Sequence, residues 1–318
     1  MKKIVIQVFF IFGFGLLLSG CNYPGALASQ NQSGTMTPIE RTAPSPTFMR
    51  ATPTVENIPT ITVIPTPGLL TAQKVAVVFV SEGNELEIRS RPGADQAVIA
   101  NISPHAQNIT LSKAFEWQDD HELWVEITTA DGISGWVDAY YLTNQISSDA
   151  FCMDKRVTSL MAQFIDAVKE RNGEKFFELV SPLHGLFIRH EWWNPEIQIK
   201  DPEQIMNIFT SATSYDWGIQ DGNGLEISGS FQDVILPLLS EVVDNSPRSC
   251  NTLEQGLASG GSTGFIQWPF EYANLNYIAL YRSAPAGDEL NWRTWAVGIE
   301  FIGNKAYIVA LVQYHWEI

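Results

Sequence analysis

Gly260-Gly261-Ser262-Thr263-Gly264 has the G-x-S-x-G spacing of a nucleophilic serine, and Asp288 and His315 follow in the order that an acid and a base would take. That chemistry needs the serine on a sharp turn between a buried strand and a helix. The preceding LEQGLAS is no buried strand and the following FIQWPF is no helix, so a glycine-rich loop is expected. His190-Glu191 opens like a two-histidine zinc helix, but the position four residues after His190 is Asn194, and the second ligand is missing. The other histidines, His105, His121 and His184, form no metal-ligand spacing with His190, His315 or a cysteine. No glycine cluster carries the Lys-Ser/Thr of a phosphate loop. No catalytic residue, metal ligand or cofactor is expected from these strings.

The aromatic residues offer a different chemistry, flat contact area at low entropic cost. Trp192 and Trp193 are adjacent in RHEWWNPE, and two neighbouring indoles cannot both face one core from a strand. One of them is expected at a ligand or partner surface. Trp117, Trp124, Trp136, Tyr140 and Tyr141 cluster in the first third of the folded chain. Strand patterns place Trp124 and Trp136 in a core, while Trp117 in an acidic insertion and Tyr140 point outward as ligand-binding candidates.

The elements that position these residues begin after an address. Lys2 and Lys3 precede an apolar run from Ile4 to Leu18, too short for the ~20 residues of a membrane-spanning helix and suited to a secretory signal. The run ends in Leu18-Ser19-Gly20-Cys21, which resembles the lipobox of bacterial lipoprotein precursors. The resemblance implies a signal peptide over 1–20, a lipid on the Cys21 thiol, and an extracytoplasmic protein held to the cell membrane by that lipid. Two or more acyl chains anchor stably where one holds marginally.

The chain carries 19 basic against 35 acidic residues, a formal charge of −16, and a field of that sign repels nucleic acid. Outside a reducing cytoplasm a disulfide between Cys152 and Cys250 is allowed; two buried free thiols are the alternative.

Residues 21–72 hold eight of the 17 prolines, with many Thr and Ser, and read as an extended, unpacked linker. From 73 to 146 the texture changes to short alternating runs with turn signals, the pattern of a small all-β barrel. The residues Leu86-x-Ile88-Arg89-Ser90-x-Pro92-Gly93, Val98-Ile99, Trp124-x-x-Ile127 and Gly135-Trp136-Val137-x-x-x-Tyr141-Leu142 resemble the bacterial SH3 (SH3b) family. Arg91 replaces the usual glycine, and AFEWQDDHE lengthens one hairpin. The resemblance implies an SH3-like barrel, a module that in some relatives binds the peptides of peptidoglycan.

Residues 150–318 read as an α+β domain. Val157, Leu160, Met161, Phe164, Ile165 and Val168 recur at helical spacing. A short helix is expected in NGEKFFELV. Another is expected at Asp201-Pro202-Glu203, and a third behind a Ser230/Asp233 capping box, interrupted by Pro237. NLNYIALYR is a strand, and the chain's last third closes with a long hairpin turning at Gly303-Asn304. This order, with VSPLHGLFI and AYIVALVQYHWEI, resembles NTF2-like domains, which wrap a bent antiparallel sheet about a helix as a cone.

Two functions follow. One is a non-catalytic, membrane-tethered protein whose SH3b barrel contacts peptidoglycan, a peptide or a surface protein. The other is a lipoprotein enzyme, a hydrolase or isomerase, working in the cone with Glu300 beside His315 or Tyr281.

Overall fold

The computed structural model describes residues 70, 74–118, 122–220, 222–244, 248–253, 267–288 and 290–315. Cys21 with the apolar run before it, the proline-rich tract as far as Gly68, His121 and Ser262 with its glycines lie outside them. The described chain is mostly β, with a curled half-barrel sheet and a few helices. All described residues belong to one compact unit.

Seven strands form the first sheet: β1 (Lys74–Val77), β2 (Leu86–Arg89), β3 (Val98–Ile102), β4 (Ile109–Gln118), β5 (Glu122–Thr128), β6 (Ser134–Asp138) and β7 (Leu142–Asn144). Their order is β3-β2-β6-β5-β4-β1-β7, with every pairing antiparallel. Irregularities in register between Ile88 and Arg89 and between Leu111 and Phe115 bend the strands, as bulges do. The period of two then buries Val75, Val77, Ile88, Val125, Ile127 and Val137 in one core.

Two short helices and one long one follow: α1 (Ser148–Cys152), α2 (Lys155–Glu170) and α3 (Gly173–Phe177). Asp154 caps α2 by accepting from the Arg156 amide, and Arg171 ends it in the left-handed conformation, φ 49°. After β8 (Leu186–Arg189) and β9 (Ile197–Ile199) comes α4 (Pro202–Met206), whose cap Asp201 accepts from the Glu203 and Gln204 amides. β10 (Ser214–Ile219) and β11 (Glu226–Ser230) pair as a separate hairpin.

The Ser230 hydroxyl accepts from the Asp233 amide, but the first turn behind it, Phe231–Ile235, is a π-helix. Pro237 has no N–H for the Asp233 carbonyl, and the Leu236 amide instead reaches back five residues to Phe231. The helix α5 (Leu236–Val243) then runs regularly.

The strands β12 (Arg248–Cys250), β13 (Asn276–Arg282), β14 (Arg293–Ile302) and β15 (Lys305–His315) join β8 and β9 in the order β12-β13-β14-β15-β8-β9. Only β15 and β8 run parallel in this sheet. The hairpin turns at Gly303, φ 59°, between the register partners Ile302 and Lys305. Val297, Leu311 and Ile308 meet Leu160, Phe164 and Leu239 on the helix side, which makes this half α+β. Ala296, Val312 and Tyr314 face the other way, onto a cluster that includes Val78 from just beyond β1.

The two sheets therefore share packing. Asn274 Nδ2 donates to the Val77 carbonyl at 2.8 Å, and the Phe79 amide donates to the Glu271 carbonyl at 2.8 Å. Asn144 Nδ2 donates to the Phe301 carbonyl at 2.7 Å. Cys152 and Cys250 are joined by a disulfide, Cα–Cα 5.8 Å, that stitches α1 to the edge strand β12 across a separation of 98 residues. A loop of that length predicts that replacing both cysteines by serine lowers the unfolding free energy by about 2–5 kcal/mol. Denaturant titration of the two proteins measures it, and the variant should be indifferent to reductant while the parent is not.

Candidate functional site

The parity of β5 and β6 decides what lies outside the first core. Leu123, Val125 and Ile127 point in, so Glu122, Trp124 and Glu126 point out; Gly135 and Val137 point in, so Trp136 and Asp138 point out. Antiparallel register sets Trp124 opposite Asp138 and Trp136 opposite Glu126. Trp124 is buried, as expected, while the expectation that Trp136 is core is corrected. Trp136 is half-buried on the outer face, and Trp124 is buried on that face, beneath the edge of a recess.

That recess, about 470 Å³, is walled by Phe79, Trp124 and Tyr141 and by the carboxylates of Glu85, Glu87, Glu122 and Asp138. Its one cation, Arg89, is bound to Glu87 and donates to the Gln96 carbonyl at 2.6 Å. A second recess of about 290 Å³ shares Glu122 and Asp138 with the first and adds Trp117, Tyr140, Leu183 and Lys200. The structure thus brings Trp117 and Tyr140 to one wall. It leaves Trp192 and Trp193 in the turn between β8 and β9, where both are half-buried and neither lines either of these two recesses.

The electrostatics are those of crowded negative charge. Asp138 caps the 3-10 turn Ala139–Tyr141 by accepting from the Tyr140 amide at 2.9 Å. Burial, and then the charge of Glu122, nevertheless hold its carboxyl above the usual carboxylate range, against that hydrogen bond and against His184 and Lys200. Burial pushes the Tyr140 phenol up to about 12, although Gln198 Nε2 donates to its oxygen at 2.8 Å. Burial raises Tyr141 too, helped by the charges of Asp138 and Glu122. Lys200 is pulled down by burial, with Asp138 opposing. Its Nζ sits 4.3 Å above the Tyr140 ring, an ammonium resting on an aromatic face.

Behind Tyr140 lies a buried ion-pair partner set that spacing did not reveal. His184 Nδ1 is 2.9 Å from both oxygens of Glu300, and Nε2 donates to the Tyr140 carbonyl at 2.8 Å. The Tyr140 ring stands edge-on to the imidazole at 4.8 Å, and Gln198 Nε2 also donates to the His184 carbonyl. Glu300 is thereby committed to His184. It faces Tyr307 across the β-hairpin, while His315 lies at the far end, opposite Arg293, and binds Glu191 at 2.7 Å. The pairing of Glu300 with His315 needed for catalysis is not assembled, and Tyr281 stands opposite Thr294, six residues along the strand from Glu300. Asp288 is exposed. Among the described residues no group of His, Cys, Asp and Glu is arranged to hold a metal, and no helix is long and apolar enough to cross a membrane.

Sequence reading missed Lys200, Glu85, Glu87 and the His184–Glu300 pair. The outward parity of Glu122 and Asp138 was readable from alternation alone; Lys200 lies just past the end of β9 and carried no local signal. Comparison with protein families, with curated proteins and with solved structures returns no match to this chain.

His184 should be essential to the fold around this wall. Its replacement by Ala leaves the Glu300 carboxylate buried without its partner, and a loss of about 3–5 kcal/mol is expected in denaturant unfolding. Replacing His184 and Glu300 together by Leu should recover most of that loss, because no charge is then stranded.

Proposed function

We propose that this is an exported binding protein, tethered to the cell membrane by lipid on Cys21 and carried on the proline-rich linker of 21–72. In this reading the first sheet is an SH3b-like barrel, and its paired recesses hold an amine-bearing peptide of the cell wall or of a surface protein. The second half is an NTF2-like platform that supports the barrel and supplies Lys200 and Leu183 to its wall. The net charge of −16 disfavours nucleic acid as a partner.

One observation carries the reading: four carboxylates and three aromatic rings line one recess, with the only cation already paired. Carboxylates beside aromatic faces favour ammonium groups, by charge and by the ring quadrupole. Lys200 on Tyr140, with Asp138 nearby, is the same recognition made within the chain.

The test is calorimetric titration of the purified chain with a short lysine-containing peptide and with its fully N-acetylated form, alongside co-sedimentation with cell-wall sacculi. Binding of the free amine, and roughly tenfold or more weakening by acetylation, are expected, a factor equivalent to about 1.4 kcal/mol. Asp138→Asn keeps the cap and removes the charge; it should weaken the amine by a similar factor without loss of fold. Equal binding of the two peptides, or none of either, would remove the proposal. Because the Asp138 carboxyl is held above its ordinary value, affinity should fall on acidification from neutral pH, starting at a higher pH than an unperturbed aspartate would give.

A further inference from the structure

Ten buried side-chain polar atoms have no hydrogen-bond partner among the described residues, and all of them fall at residues 189–192, 282, 292–295 and 313. Register places those positions together: Arg282 opposite Arg293, Trp295 opposite Gln313, and Arg189 opposite Val312. They occupy the one end of the second sheet where β8, β13 and β15 finish and β14 begins. Native interiors satisfy nearly all such groups, because an orphaned donor or acceptor forfeits its hydration for nothing. A concentration at one place is the mark of groups kept for a partner.

The helix side of this end is the better defined. Trp295 and Gln313 are register partners on the face of Val297 and Leu311, and both are fully buried. Gln313 leaves both its amide nitrogen and its amide oxygen unpaired, and Trp295 leaves its indole N–H unpaired. The parallel ladder ends with Arg189 opposite Val312, and His190 is the next residue of the chain. Glu191 is 1 % exposed, and its Oε1 is 2.7 Å from His315 Nε2 and 3.0 Å from His190 Nδ1, the latter out of line for a hydrogen bond. Burial works against its charge, but the two imidazoles outweigh it and hold the carboxyl below its ordinary range. Its second oxygen is an unused acceptor. The His315 and His190 side chains, 27 % and 11 % exposed, are where solvent reaches this floor.

We propose that this end of the second sheet is a ligand site, separate from the recesses of the first sheet, for an uncharged group that carries a hydrogen-bond donor beside an acceptor. Gln313 meets such a group with both ends of its amide, Trp295 adds a donor, and Glu191 Oε2 adds an acceptor. A carboxamide and a pair of neighbouring hydroxyls both have this pattern. An uncharged group suits this floor, because Gln313 and Trp295 are fully buried and a charge would lose its hydration there without a counter-charge on either side chain. Admission of the group takes an outward swing of His315 and His190, the side chains at the open rim.

The experiment follows the indole N–H resonances of the full chain, with Trp295 assigned through Trp295→Phe, on addition of N-acetylglycinamide, glucose or N-acetylglucosamine. The amide probe and the sugar separate the two sources of the pattern. Saturable movement of the Trp295 resonance with at least one probe is expected. Glu191→Gln should weaken that probe about tenfold, and Gln313→Leu should abolish its effect while leaving the amine peptide bound in the first sheet. Gln313→Leu should also raise the melting temperature, by about 2–4 °C, since it removes two orphaned atoms from an apolar floor. No response of Trp295 to any probe would overturn the site. So would a fall in melting temperature in Gln313→Leu, which would show the amide to be satisfied within the fold.

Discussion

An imidazole and a carboxylate buried together are tolerated only when each remaining polar atom is also engaged, because the desolvation of either alone exceeds what a single contact returns. His184 and Glu300 meet that condition through a third partner from the other sheet, the backbone carbonyl of Tyr140. The carbonyl can only accept, so Nε2 must donate to it, and Nδ1 is the atom left to face Glu300. The two halves of the chain therefore cannot separate without stranding charge in an apolar seam. Phe79, whose ring lies 4.5 Å from the imidazole and 4.7 Å from Phe187, closes that seam from a left-handed backbone conformation, φ 60°. A bulky residue is held there only by surroundings that outweigh its strain.

The same bridge sets the electrostatics of the outer wall. Tyr140 is held by its carbonyl on one side and by Gln198 on its hydroxyl, so its ring is fixed in place beneath Lys200. Asp138, two residues earlier, is then pinned by the cap it makes and cannot turn away from Glu122. Like charges forced together in partial burial leave a standing demand for a cation. A flexible surface would relieve that demand by rotating its side chains. Here the backbone is fixed from behind, and the field persists in the recess.

Much of the fold was legible. The period of α2, the caps at Asp201 and Ser230, and the turn at Gly303 depend on a few neighbouring residues, and local patterns reported them correctly. The errors have physical causes. Trp136 looks like core because tryptophan is large and apolar, yet its parity is opposite to Val137, and in a strand parity prevails over residue type. Alternation in WVDAYY held that information, and bulk obscured it. The interruption expected at Pro237 is present, and it takes the form of a π-helical turn, Phe231–Ile235, ahead of a regular helix that starts at Leu236. Glu300 and His315 share a hairpin, which suggested contact, but strands of ten and eleven residues put them at opposite ends. Lys200 reaches its recess through tertiary folding, and no local pattern encodes that.

The junction between the sheets shows why a recess with walls from both can serve recognition. Residues 145–152 connect β7 to the helices and would be the natural hinge. The Asn276 side chain donates to the Ile146 carbonyl at 3.1 Å, and Asn251, φ 50°, donates to the Ser148 hydroxyl and to Asn276. Cys250 then ties the end of α1 covalently to the strand edge. Three independent restraints on eight residues leave little freedom for one sheet to rock against the other. Tyr140 from the first half and Leu183 and Lys200 from the second consequently keep their spacing before any ligand arrives. Affinity is lost chiefly to ordering of groups on binding, so walls already fixed at their working distance lower that cost. The disulfide and the buried His184–Glu300 pair, neither of which touches the recess, are in this way determinants of what the recess can hold.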